Sequence, residues 1–159
     1  MRKFYYEIAN VPTLIEKAAS WIGTPYQHMG RTKKAGVDCI HFVGMLLTEM
    51  GLLRELKMSG FYPTDWYDYG QELMTDTIAN HAANCMEAGI IAQYSPEDMT
   101  CETGDMICLK VLSQVTNHVV IKLDKNRIIH AVPSAGVVYD NLDRWKNNIA
   151  RVYKFYYEE

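Results

Sequence analysis

The sequence predicts an α+β domain, with N-terminal helices packed on a C-terminal antiparallel β-sheet, on three observations. Over the first half of the chain apolar residues recur at helical spacing. From residue 105 onward the pattern changes to short β-rich runs separated by turn residues. Helices first and antiparallel strands after is the order of a segregated α+β domain. The length, 159 residues with 48% hydrophobic, suits a single domain over 1–159 that buries about 68–70% of its unfolded surface. It needs neither disulfide nor metal to fold.

The first expected helix runs from Val11 to Ile22. Leu14, Ile15, Ala18, Ala19 and Ile22 share one stripe, and Pro12 sits in the first turn, where a missing N–H is tolerated. Gly23-Thr24-Pro25 ends it, and a loop follows through Tyr26, His28 and the basic stretch Arg31 to Lys34. The second helix is the best delimited. Asp38 is a good N-cap, Cys39 opens the helix, and Ile40, Val43, Leu46, Leu47 and Met50 form its stripe. Gly51 stands where a left-handed C-cap is expected.

An aromatic, turn-rich segment from Phe61 to Tyr69 precedes a third helical pattern, Met74, Ile78, Ala82, Cys85 and Met86, reaching Gly89. That helix reads either as a packing helix or, with the aromatic cluster before it, as a helical flap inserted at about 61–89. Strands are expected at Asp105–Leu112, His118–Leu123, Arg127–Val132, Gly136–Tyr139 and Arg151–Tyr157. Asp124-Lys125-Asn126 forms a tight hairpin, and Leu142 to Asn148 a short helix. Lys3-Phe4-Tyr5-Tyr6-Glu7 recurs as Lys154-Phe155-Tyr156-Tyr157-Glu158. Five residues are too few for a repeat architecture, and the match reads first as coincidence, with pairing of the two ends as strands the lesser alternative.

Composition excludes some functions. A formal charge of −3 and no basic field argue against nucleic acid and anionic membrane as partners. The longest apolar runs are too short for membrane insertion. Met1-Arg2-Lys3 begins like a signal peptide, but no apolar core or cleavage site follows. The expectation is a chain made in the cytoplasm without an address of its own. Cys39, Cys85, Cys101 and Cys108 show no C-x-x-C pair, so they read as free thiols of which at most one is reactive.

Cys39 stands apart. A thiol in the first turn of a helix feels the positive end of the dipole and unpaired N–H groups, which favour the thiolate. Those groups also suit an oxyanion. The plainer reading is a small buried residue. A base comes from the strands. With a three-residue loop at 124–126, Leu123 pairs with Arg127 and Val120 with His130, so His118 and His130 project from one face as diagonal neighbours. One imidazole can take the thiol proton while the other orients it. His28 lies in the loop before Cys39 and can line the cleft, whereas His41, two residues past Cys39, points elsewhere on a helix. No ligand spacing supports zinc at Cys39, His118 and His130, and no metal or cofactor is expected.

Five segments together resemble the NlpC/P60 family of cysteine peptidases: Trp21-Ile22-Gly23-Thr24-Pro25-Tyr26, Gly36-Val37-Asp38-Cys39, Gly104-Asp105-Met106-Ile107, Asn117-His118-Val119-Val120-Ile121 and Ile129-His130-Ala131. Gly136-Val137-Val138, Trp145 and the segment Phe61 to Trp66 resemble its phage-type and gene-transfer-agent branch. The resemblance implies a papain-like fold and hydrolysis of peptidoglycan stem peptides, commonly between γ-D-glutamate and a diamino acid. It implies Cys39 as nucleophile, His118 as base and His130 as its orienting residue. Tyr26 would lie beside the cysteine, and Asp38 would meet a free peptide amine. Implied partners are a peptidoglycan peptide and, for the phage-type branch, tail proteins. The sequence departs from the usual Asp-Cys-Ser-Gly, having Asp38-Cys39-Ile40-His41, which alters the wall beside the nucleophile. The other readings are an amidase or acyltransferase with the same triad, or an inactive wall-binding module of a phage tail.

Overall fold

The computed structural model describes residues 3–7, 9–58, 62–64, 66 and 72–158. Its centre is helix α2 (Cys39–Glu49), which is buried over most of its circumference: Cys39 through Gly44, Leu46 and Leu47 are all inside. The sequence showed one stripe, but α2 is covered on more than one side. One side lies against β-strands, α1 (Val11–Ala19) packs on the helix as well, and Ile40, Val43 and Leu47 share an apolar lining with Ile78 and Ala82 of α3 (Leu73–Asn84). Burying a side chain such as Phe42 or Leu46 contributes about 1.5–3 kcal/mol, so this helix is held by packing from several directions. Both its ends follow the local signals. Asp38 caps the first turn through His41 N–H, and Gly51, at φ +77°, takes the left-handed position after the last turn.

The strands are β1 (Lys3–Phe4), β2 (Arg31–Thr32), β3 (Gly36–Val37), β4 (Ile90–Tyr94), β5 (Met106–Leu109), β6 (His118–Lys122), β7 (Arg127–Val132), β8 (Gly136–Asn141) and β9 (Ile149–Tyr157). β9, β5, β6, β7 and β8 form consecutive antiparallel pairs. β4 pairs with one edge of β9, and β1 with the end of its other edge. The small β2–β3 hairpin lies apart in the loop before α2. The sheet is apolar on both faces. Met106, Cys108, Val119, Ile121, Ile129 and Ala131 face the helices. Ile107, Leu109, Val120 and Ile128 face a second core closed by Leu142 of a 3-10 helix (Leu142–Asn148).

Helices before strands is the expected order, and the five expected strands are present, β7 with the expected bounds and the other four with altered ends. α1 stops at Ala19, three residues short of the expected Ile22, because the chain turns over residues 20–24. α3 ends at Asn84, and β4 occupies residues that carried no strand signal. The two Lys-Phe-Tyr-Tyr-Glu segments are not coincidental neighbours in sequence only, for their ends pair: Lys3 lies opposite Tyr157 and Phe4 opposite Tyr156, with stacked rings 5.0 Å apart. The copies are not equivalent. Lys3 is exposed, whereas Lys154 is buried and ion-paired to Asp105 at 2.5 Å. Among the described residues no helix is long and apolar enough to cross a membrane.

Candidate active site

The site begins with the capping of α2. The Asp38 carboxylate is buried and accepts four hydrogen bonds. His41 N–H and His41 Nδ1 reach Oδ1 at 2.9 and 2.8 Å, and Met29 N–H and the Tyr62 hydroxyl reach Oδ2 at 2.9 and 2.6 Å. Burial works to raise this carboxyl, but the His41 and Tyr62 bonds prevail and hold it below the ordinary range. Tyr62 thus closes the network, and its own backbone carbonyl lies 2.6 Å from His28 Nε2, the His28 ring standing edge-on to the phenol. Asp38 meets a substrate amine only if the Tyr62 hydroxyl gives way. His41 turns from the thiol, as expected, and bonds back to the cap.

Cys39, the first residue of α2, is almost fully buried. Its sulfur faces the backbone N–H groups of Val119, Ile40 and Cys39 itself, which favour a thiolate. Burial, and then the adjacent Asp38 charge, outweigh them and push the thiol up to about 12. The expectation of a thiolate at rest is therefore corrected: the helix terminus supplies the right dipole, but desolvation is the larger effect. At neutral pH the proton stays on sulfur.

The histidines arrive from β6 and β7. Ile121 pairs with Ile129 and Lys122 with Ile128, the register set by the three-residue turn at 124–126. His118 and His130 then share the face of Val120 and Ile128. His118 Nε2 lies 2.8 Å from His130 Nδ1, the diagonal contact expected from the register. Burial, with a smaller contribution from His130, drops the His118 ring to about 3, so it too is neutral at rest. Its Nε2 is engaged by His130, which leaves Nδ1 as the nitrogen open to the thiol. Cys39 and His118 border one cleft of about 610 Å³, together with Tyr26, His28, Thr64 and Trp145. Its walls come from the loop before α2, the helix start, the first residue of β6 and the 3-10 helix. His130 is fully buried behind His118 and does not reach the cleft surface. Backbone N–H groups are what act on the sulfur, and among the described residues no hydrogen bond joins Cys39 to the histidine pair, although Cys39 and His118 share the cleft.

Two residues of this region escaped the sequence reading. Asp140 Oδ2 lies 3.2 Å from His130 Nε2. The Trp145 indole N–H donates to the same oxygen at 3.1 Å, and its ring packs edge-on to His130 with centroids 5.6 Å apart. Trp145 was noted only for its resemblance, and Asp140 fell one residue beyond the expected end of its strand. The signal existed: β8 continues to Asn141, and the pairing of His130 with Val138 puts Asp140 one diagonal step from His130. The basic loop, by contrast, serves the fold. Lys33 Nζ bonds Glu49 and Ser20 at 2.8 and 2.7 Å, and Lys34 Nζ bonds the Ile22 carbonyl.

A model described as the NlpC/P60 family matches residues 23–154. The chain is 29% identical over 147 residues to the Escherichia coli K12 protein named "Probable endopeptidase NlpC", spanning 89% of this chain and 75% of that one. Among solved structures, the NlpC/p60 domain of the peptidoglycan hydrolase SagA superposes with a TM-score of 0.52 at 19% identity, over 91% of this chain and 97% of that chain. An NLP/P60 family protein from Staphylococcus aureus Mu50 gives 0.56 at 19% identity, over 93% of this chain and 42% of that chain. The structural likenesses establish the papain-like α+β fold.

Proposed function

Since the chain belongs to the NlpC/P60 family, we propose that it is a thiol hydrolase of peptidoglycan stem peptides, cutting the amide between γ-D-glutamate and a diamino acid through an acyl-enzyme on Cys39. The observation that carries this reading is a thiol at the start of α2 and His118, itself hydrogen-bonded to the buried His130, on one cleft. The names of the similar proteins support the reading: one is named a probable endopeptidase and another a peptidoglycan hydrolase.

The chemistry follows from the neutral resting pair. As the peptide carbonyl enters the cleft, Cys39 Sγ forms a bond to its carbon while the thiol proton passes to His118 Nδ1. The backbone N–H groups at the helix start, released from the sulfur, are placed to receive the oxyanion. Collapse breaks the C–N bond, and the leaving amine takes the proton from His118. Water, deprotonated by the same nitrogen, then attacks the thioester carbon; collapse breaks the C–S bond, frees the acid, and His118 returns its proton to Cys39 Sγ. Tyr26 and His28, both on the cleft, serve as contacts for the peptide.

The buried, protonated thiol favours a second reading, a wall-binding module that does not turn over, of the kind a phage tail carries. Purified wild-type protein and Cys39→Ala incubated with muropeptides separate the two. The proposal expects new peptide termini from wild type only, whereas the module expects equal wall binding by both and cleavage by neither.

A further inference from the structure

His118, His130 and Asp140 form one slanted row across three adjacent strands. Each step is diagonal. His118 lies two residues before Val120, the position that the β6–β7 register sets opposite His130, and Asp140 lies two residues beyond Val138, which pairs with His130. Side chains at such diagonal positions stand about 7–8 Å apart at their bases, a gap that imidazole rings and a carboxylate can bridge end to end. The measured atoms do so: His118 Nε2 to His130 Nδ1 at 2.8 Å, and His130 Nε2 to Asp140 Oδ2 at 3.2 Å.

The proton positions along this row are not free. His130 Nε2 is buried, and it makes no in-line hydrogen bond among the described residues. The acceptor before it is Asp140, whose side chain is only 13% exposed. Burial works to raise the Asp140 carboxyl, but the Asn141 N–H, the Trp145 indole and Arg144 together hold it below the ordinary range. An ionised carboxylate only accepts, so His130 Nε2 must carry a hydrogen. In a neutral imidazole that leaves His130 Nδ1 as acceptor, which requires His118 Nε2 to donate. His118 Nδ1 is then the lone pair facing the cleft. The charged or titratable groups around His130 are His118 from β6, Asp140 from β8 and Arg144 from the 3-10 helix. α2, against the other face of β7, carries Cys39 and His41.

The geometry points to Asp140 as a positioning residue that fixes the tautomer of His130 and, through it, the nitrogen with which His118 accepts the thiol proton. This rests on the proposed thiol hydrolase reading and adds a fourth member to the row behind the thiol. Trp145 donates to Asp140 Oδ2 and packs its indole against both imidazole rings.

The test is Asp140→Asn, read by imidazole 15N resonances and by steady-state cleavage of a γ-D-glutamyl–diamino acid peptide. An amide at 140 places an N–H₂ where an acceptor oxygen stood. The expected result is a switch of His130 Nδ1 from the acceptor-type to the protonated 15N shift. With it kcat should fall on the order of 10²-fold while KM stays within about twofold. A purely structural role would leave the tautomer and the kcat–KM split unmoved, and an unchanged Nδ1 shift with unchanged kcat overturns the proposal. If wild type itself cleaves nothing, the hydrolase reading fails, and the 15N comparison alone still decides the role of Asp140. Should Asp140→Asn not fold, Asp140→Ala withdraws the acceptor from His130 Nε2 without adding a donor. It should move the His130 Nδ1 shift toward the protonated value and lower kcat, and no movement in either overturns the role.

Discussion

Two carboxylates stand behind the cleft residues, the buried Asp38 before Cys39 and the partly buried Asp140 behind His130, and they are used in opposite ways. Asp38, before α2, is saturated: two backbone N–H groups, one imidazole and one phenol converge on it. It fixes the direction of a helix and the seat of Tyr62. Asp140, on β8, leaves its Oδ2 to an indole and a histidine edge. It fixes where a proton sits. A carboxylate surrounded by donors that have nowhere to pass a proton is architecture, whereas the same group ending a row of imidazoles orients chemistry. The Asp38 charge even works against the thiolate, since it is the second cause of the raised Cys39 thiol.

The largest effects should come from the groups that touch substrate. Cys39→Ala should remove turnover by about 10⁶-fold, and His118→Ala by a comparable factor, with both variants retaining wild-type circular dichroism. Unimpaired hydrolysis by either would remove the strand side of the comparison altogether. Asp140→Asn follows, on the order of 10²-fold in kcat, because it acts through the intervening His130 ring.

Asp38→Asn sharpens the contrast by moving the two properties in opposite directions. Losing the charge lowers the Cys39 thiol, so alkylation of Cys39 by iodoacetamide at pH 8 should become several-fold faster. Mismatched hydrogen bonding around the amide should cost about 1–3 kcal/mol of unfolding free energy in urea. Slower alkylation with unchanged stability would mean that Asp38 acts on the thiol in some way other than its charge.

The last effect is on stability as a function of pH. His118 is half-buried at the cleft and neutral, its ring depressed to about 3 from 6.5 by desolvation. The unfolded chain therefore binds a proton that the native one refuses. Stability is complete above pH 6.5 and declines as the pH falls from there toward 3. His118→Gln should flatten part of this decline in urea titrations at pH 7, 5.5 and 4. An equal decline in the variant would place the acid sensitivity on other groups.

What was legible in the sequence tracks how local the determining signal is. Asp38 and Gly51 delimit α2 because caps act within one turn, and both stand where they were expected. The diagonal contact of His118 and His130 was legible because a three-residue turn fixes the parity of β6 against β7. β4 and the pairing of β1 with β9 were not, since their partner strand lies more than 50 residues away from the one and about 150 from the other. Propensity carries no information on such distant pairing. The state of the thiol was misjudged for a related reason. The helix dipole is visible in the chain order, but the burial that outweighs it is assembled from Val119 and the helix layer. Tyr62 on Asp38 was hidden likewise, as nothing in the residues near Asp38 announces a phenol from 24 positions on.

The most direct test of the account is to trap the acyl-enzyme. Wild type, Cys39→Ala and His118→Ala would be mixed with a γ-D-glutamyl–diamino acid peptide and quenched in acid within seconds. Intact mass and peptide mapping then locate any adduct. The account predicts the acyl fragment on the peptide containing Cys39, in wild type alone, with the amine product released in equal amount. Release of product by Cys39→Ala, or an adduct on Cys85, Cys101 or Cys108 instead, would contradict it.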